Sequence, residues 1–141
     1  MPSILVDGER YDLAQEECDA FFPPVPASSA DVNAEHDRRA LAGRVFTVEG
    51  YGDIALEGSD RAQTVLLALK DSARDLIDVG ISSPLLRFTD RDNVTHTLTP
   101  RWTVELVNAG KAYMQALHDA KIALKAMDPI PADYADDSRW P

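Results

Sequence analysis

Residues 99–127 read TPRWTVELVNAGKAYMQALHDAKIALKAM, and the fold turns on how this stretch is taken. Thr99 has the side chain of a helix N-cap. Pro100 then stands at the first helical position, where its missing N–H leaves nothing unsatisfied. Apolar or small residues recur at Thr103, Leu106, Gly110, Tyr113, Leu117, Ala120, Leu124 and Met127, an alternating spacing of three and four that lines one helix face. Val107 and Met114 widen the stripe to the breadth of a core-facing helix. Lys121 and Lys125 sit near the end, where cations favour the helix dipole, and Asp128-Pro129 stops the run. At about 1.5 Å per residue the expected helix is about 40 Å long, enough to cross a small domain. The same seam has the heptad spacing of a coiled coil between copies. Gly110 and Ala120 within it suit close packing inside one domain, and that is the expectation adopted.

Upstream, the chain reads as two similar halves. Phe46 to Leu56, FTVEGYGDIAL, forms two short strands around Gly50–Gly52. Ser59 then caps a helix from Asp60 to Asp78, with Ala62, Val65, Leu66, Leu69, Ala73, Leu76 and Ile77 on one face and Gly80 ending it. Phe88 to Leu98, FTDRDNVTHTL, repeats the hairpin around Asp92-Asn93, and the long helix follows. A shift of 42 residues places Phe46 on Phe88, Thr47 on Thr89, Leu56 on Leu98 and Val65 on Val107. The expected fold class is α+β: ββα-ββα, a small antiparallel sheet with two long helices packed on one face, plus extended N- and C-terminal arms.

The arms read differently. Ile4, Leu5 and Val6 precede Asp7-Gly8, a favoured two-residue turn, with Tyr11 and Leu13 on the return, so residues 3–13 predict a hairpin. Residues 14–34, with FFPPVPASSADVN, predict an extended connector, because three prolines forbid helix and ladder alike. Residues 35–42 predict one helical turn. The expected division is a 1–38 N-terminal arm, a compact 39–128 domain and an acidic, proline-containing 129–141 tail.

Charge follows that division. The chain has 141 residues and a formal charge of −10, with 24 acids against 14 bases. Residues 1–42 hold nine acids and three bases, residues 43–127 eleven and ten, and residues 128–141 four and one. A negative balance disfavours nucleic-acid binding, which needs a basic face, and docking on anionic membranes. No apolar run approaches the length that spans a bilayer, and MPSILVDGERYD lacks the pattern of a signal peptide. The one cysteine, Cys18, has no internal partner for a disulfide.

The runs RVFTVEGYGDIALEGSDRAQTVLLAL (44–69) and RFTDRDNVTHTLTPRWTVELVNAGKAYMQALHDAKIALKAM (87–127) resemble an uncharacterised domain of tailed bacteriophages and prophages. In such families the domain occurs in tail-fibre, tail-tip and tail-fibre-assembly proteins. The resemblance rests on Arg44 and Phe46 opening the first hairpin, Gly50 in its turn, Asp90–Asn93 ahead of Leu98-Thr99, and Tyr113 and Leu124 in the final helix. It covers about 39–127, brings no catalytic residues, and implies an assembly rather than a reaction.

The residues themselves offer little chemistry. His36, His96 and His118 fall in a connector, a strand and a helix without metal-ligand spacing, and one cysteine cannot complete a zinc site. Asp90–Asn93 lacks the spaced ligands of a calcium loop and reads as a hairpin turn. Glu17 and Asp19 beside Cys18 make it a poor nucleophile. The expectation is a protein that is not an enzyme and holds no cofactor or metal. The resemblance implies that it would be made in the bacterial host cytoplasm and built into the virion tail at the tip, baseplate or fibre attachment. Its partners would be other tail proteins, in multiple copies within a symmetric assembly, with no nucleic acid and no membrane. The competing expectation is a fibre-assembly chaperone absent from the mature particle. Partner contact is assigned to the arms: Ile4, Val6 and Tyr11 of the hairpin, then Phe21, Phe22, Val25 and Trp140 as apolar anchors.

Overall fold

Thr99 caps the long helix as the sequence predicts, its side chain accepting from the Trp102 amide at 3.1 Å. The computed structural model describes residues 3–6, 9–12 and 25–141. In chain order the elements are β1 (Ser3–Val6), β2 (Glu9–Asp12), α1 (Ser29–Ala42), β3 (Arg44–Val48), β4 (Gly52–Leu56), α2 (Asp60–Asp78), β5 (Leu86–Thr89), β6 (Thr95–Leu98) and α3 (Pro100–Lys125), followed by a 3-10 turn at Asp137–Arg139. The class is α+β. No helix among the described residues is long and apolar enough to cross a membrane.

Helix α3 serves two clusters in succession. Its first half sets Leu106 and Val107 against Val48, Ile54 and Leu56 of the first hairpin, Leu66 of α2, and Phe88 and Leu98 of the second hairpin. Its second half sets Leu117 and Leu124 against Val32 and Ala40 of α1 and Trp140 of the C-terminal segment. Leu117 is completely buried, which accounts for the seam as intramolecular core.

Three expectations change. The strands do not form one sheet. Arg44↔Leu56 through Val48↔Gly52 pair within the first hairpin, Leu86↔Leu98 through Thr89↔Thr95 within the second, and each is a separate two-stranded sheet. The reason lies at Ala55, whose carbonyl accepts from the Arg91 amide at 3.0 Å. Strand β4 therefore meets the turn of the second hairpin rather than a strand, and no ladder can continue.

The second change is α1. Where an extended connector and a single turn are expected, a helix of 14 residues begins at Ser29. Ser28 and Asp31 form a reciprocal capping box: the Ser28 hydroxyl accepts from the Asp31 amide, and the Asp31 carboxylate accepts from the Ser28 amide. Only Val32 and Ala40 of this helix are buried, so its apolar periodicity is too sparse to register in sequence. The expected arm boundary at 38 falls inside it.

The third change is the tail. Residues 129–141 do not extend as an arm; they return to α1 and α3. Trp140 is only 7% exposed, and its indole Nε1 donates to the Tyr134 carbonyl at 2.7 Å. Arg39 of α1 stacks 5.4 Å over that ring and donates to the Ala135 carbonyl and the Asp137 carboxylate. Proline and acid content predict an extended tail, yet its polar groups find a partner nearly a hundred residues away in the chain.

Helix α2 is bound more lightly than its pattern predicts. Leu66 and Ala73 are buried, whereas Val65 and Ile77 stay exposed. The N-terminal hairpin is present, with Ile4↔Tyr11 and Val6↔Glu9 in antiparallel register. Its expected Asp7-Gly8 turn lies outside the described residues.

Candidate functional site

A groove opens where the end of α1, the first hairpin, the start of α2 and the middle of α3 meet. Two glycines allow that meeting. A Cβ on Gly43 would lie 1.7 Å from the Leu56 carbonyl oxygen, and one on Gly58 would lie 2.3 Å from that of Ala40. Backbone therefore packs on backbone at one wall. On the far side Gly110 leaves α3 without a side chain in its middle turn. The resulting cavity measures about 300 Å³, with Leu56, Leu66, Val107 and Met114 among the residues of its lining. That volume is at the lower end for small-ligand pockets.

Aromatic geometry shapes one side of it. Phe46 and Tyr113 meet edge to face at 5.9 Å, and the Arg44 guanidinium stacks 5.4 Å over the Tyr113 ring. Gln63, Lys111 and Gln115 also border the opening. Gln63 donates to the Gly58 carbonyl and Gln115 to Asp119. The wall is apolar and the polar heads sit at the rim, an arrangement that accepts an apolar group and orients whatever carries it.

The one buried acid–imidazole arrangement among the described residues lies elsewhere. Asp90 and His96 have side chains 5% and 8% exposed, with the carboxylate 2.7 Å from Nε2. An ionised carboxylate only accepts, so Nε2 carries the proton facing Asp90, and Nδ1 lies 2.5 Å from the Tyr51 hydroxyl, which donates to it when the ring is neutral. Burial pushes the Asp90 carboxyl up, but hydrogen bonds from His96, Val94 and Asp92 together outweigh it and bring it below its ordinary value. Tyr51 in turn lies 5.2 Å from the Trp102 ring. Tyr51 belongs to the first hairpin's turn and His96 to β6, so this chain of bonds ties together two hairpins that share no ladder. Asp90 also shapes its own turn by accepting from the Asp92 and Val94 amides, with Asn93 at φ +61°. That makes Asp90–Asn93 a hairpin turn, as its composition implies. Among the described residues no group of three or more His, Cys, Asp or Glu could hold a metal ion.

The residues assigned to partner contact end up in different settings. Ile4, Val6 and Tyr11 belong to the paired N-terminal strands. Phe21 and Phe22 lie outside the described residues. Val25 is 91% exposed. Trp140 is not available to a partner; it is part of the core with Val32, Ala40, Leu117 and Leu124. The groove brings together Phe46, Gly110 and Tyr113, which sequence reading had placed only on strands or a helix seam. Tyr51 and His96 stand 45 residues apart, and no spacing rule announces their contact.

The fold and groove together define an α+β domain with an apolar groove bordered by Arg44 and Lys111. Residues 25–138 match a family described as a domain of unknown function, DUF4376, and the chain belongs to that family. The matched span begins ahead of α1 and runs to the last turn, the same unit that the packing defines. No curated protein and no solved structure matches the chain.

Proposed function

We propose that the protein is a non-enzymatic structural subunit of a bacteriophage tail, at the tip, baseplate or fibre attachment. In this reading it meets neighbouring tail proteins through its N-terminal segment. The observation that carries the reading is the hairpin Ser3–Val6/Glu9–Asp12, a two-stranded sheet in which, among the described residues, each strand has only the other as neighbour. A two-stranded hairpin is marginal alone in water, and the edge of such a sheet is the place where an added strand pairs. The sequence resemblance to tail and tail-assembly proteins points the same way. The polar chain Tyr51–His96–Asp90 is consumed in joining hairpins, which suits a structural part.

The neighbours would be other tail proteins, met in several copies around a symmetry axis, with the finished protein resident in the virion. A fibre-assembly chaperone is the alternative, since transient binding to a fibre tip uses the same edge. Mass spectrometry of purified particles separates them. Copies at a fixed ratio to other tail proteins support the subunit, and absence from particles supports the chaperone. Deleting residues 1–12 should prevent incorporation without unfolding residues 25–141. Normal copy number in that deletion would remove the hairpin from the argument.

A further inference from the structure

Two cations border the groove without acidic partners, and two more stand on the adjoining helix. Arg44 and Lys111 border it, and Lys70 and Arg74 stand one turn apart on the adjoining α2. None of the four forms an ion pair among the described residues, in a chain of net charge −10. Arg44 is spent on the face of Tyr113, and Lys70 donates to the neutral amide oxygen of Asn108 at 2.6 Å. The crowding is felt: partial burial, then Lys111 and Arg74, hold the Lys70 ammonium below the ordinary lysine value. The acid bordering the groove, Glu57, accepts from the Ser59 hydroxyl instead. Like charges gathered without a counter-charge destabilise a fold, and here Arg44 and Lys111 stand at the border of an open apolar cavity.

We propose that this groove docks a short segment of a partner protein in which carboxylates flank an aromatic or large aliphatic side chain. The apolar side chain enters beside Gly110, between Tyr113 and Leu66, and the carboxylates meet Arg44 and Lys111. Charge complementarity selects the occupant. A cation-rimmed apolar cavity of about 300 Å³ is sized for one or two side chains. A nucleic acid, a long polyanion, meets the net −10 of the whole molecule as well as the local cations. The inference stands on the groove alone and does not require the tail reading; loss of one leaves the other intact.

The test uses the full chain, labelled with nitrogen-15 and titrated with the peptide acetyl-Glu-Glu-Ala-Phe-Glu-amide. The expected result is saturable shifts of the Gly110, Lys111 and Tyr113 amides, weakened by salt. Lys111→Glu, at an exposed position, should weaken binding at least ten-fold, with the same loss for Arg44→Glu. Arg101→Glu, in the first turn of α3 and away from the groove lining, should leave it unchanged. The lysine-for-glutamate peptide should not bind. Absence of saturable shifts, equal binding of the lysine peptide, or an unaffected Lys111→Glu protein would overturn the proposal. So would tighter binding at the same amides by sodium decanoate or oligothymidylate, because the occupant would then be an amphiphile or a nucleic acid.

Discussion

Replacing Trp140 by alanine decides whether the C-terminal segment is part of the fold or an arm. The side chain is 7% exposed and packs with Val32, Ala40, Leu117 and Leu124. Truncating a buried tryptophan costs about 3–5 kcal/mol. Losing the Arg39 stacking removes about 0.5–1 kcal/mol more, and losing the bond to the Tyr134 carbonyl about 1 kcal/mol. The segment is terminal, so the measurable cost stops at the free energy that docks residues 129–141; beyond it the tail frays while the rest stays folded. The expected destabilisation is therefore about 2–4 kcal/mol. Urea unfolding followed by far-ultraviolet circular dichroism measures it, with Trp102 left as the sole indole reporter. Hydrogen exchange adds a local readout: the amides of Tyr134, Asp136 and Arg139, each bonded within the segment, should lose protection in the variant. A cost below about 0.5 kcal/mol, with those amides exchanging freely in the parent protein, would refute the packing argument and return Trp140 to the surface.

A fragment of residues 39–128 lacks Val32 and Trp140 and should melt at a lower temperature and less cooperatively than 25–141, as calorimetry would show; equal melts would mean that the second cluster is dispensable. Leu117→Ala should cost about 2–5 kcal/mol, and its effect should be non-additive with Trp140→Ala because the two share one cluster. Asp90 has a folded pKa below its ordinary value of 3.8, so its contribution is full above 3.8 and is lost as pH falls through the depressed value. Asp90→Asn should consequently be less stable at neutral pH and show a flatter acid limb in pH-dependent unfolding. Gly80→Ala, at φ +77° with open space around it, should cost about 1 kcal/mol. Gly43→Ala, whose methyl would collide with the Leu56 carbonyl, should cost at least about 3 kcal/mol in the same unfolding assay.

Local chemistry was sufficient for the elements that announce themselves. Thr99-Pro100 starts α3, Ser59 starts α2, and Gly50, Gly52 and Asn93 turn the hairpins at positive φ. Each depends on side chains within a few residues, and each was legible in the chain. The regular seam of α3 likewise named Leu106, Leu117 and Leu124 as core, because periodicity is a property of one helix. What needed the tertiary structure is everything joined across long separations. Arg39 reaching Asp137, Arg91 closing on Ala55, and Tyr51 meeting His96 leave no periodic trace. They turned a presumed connector and a presumed tail into a second cluster, and one presumed sheet into two hairpins. The groove belongs with these. Its wall exists because Gly43 and Gly58 let distant backbones touch, and its charge is visible only when Arg44 and Lys111, from two different elements, are seen around one opening. Composition marked the chain as acidic, but only the packing decided where its cations would stand unpaired.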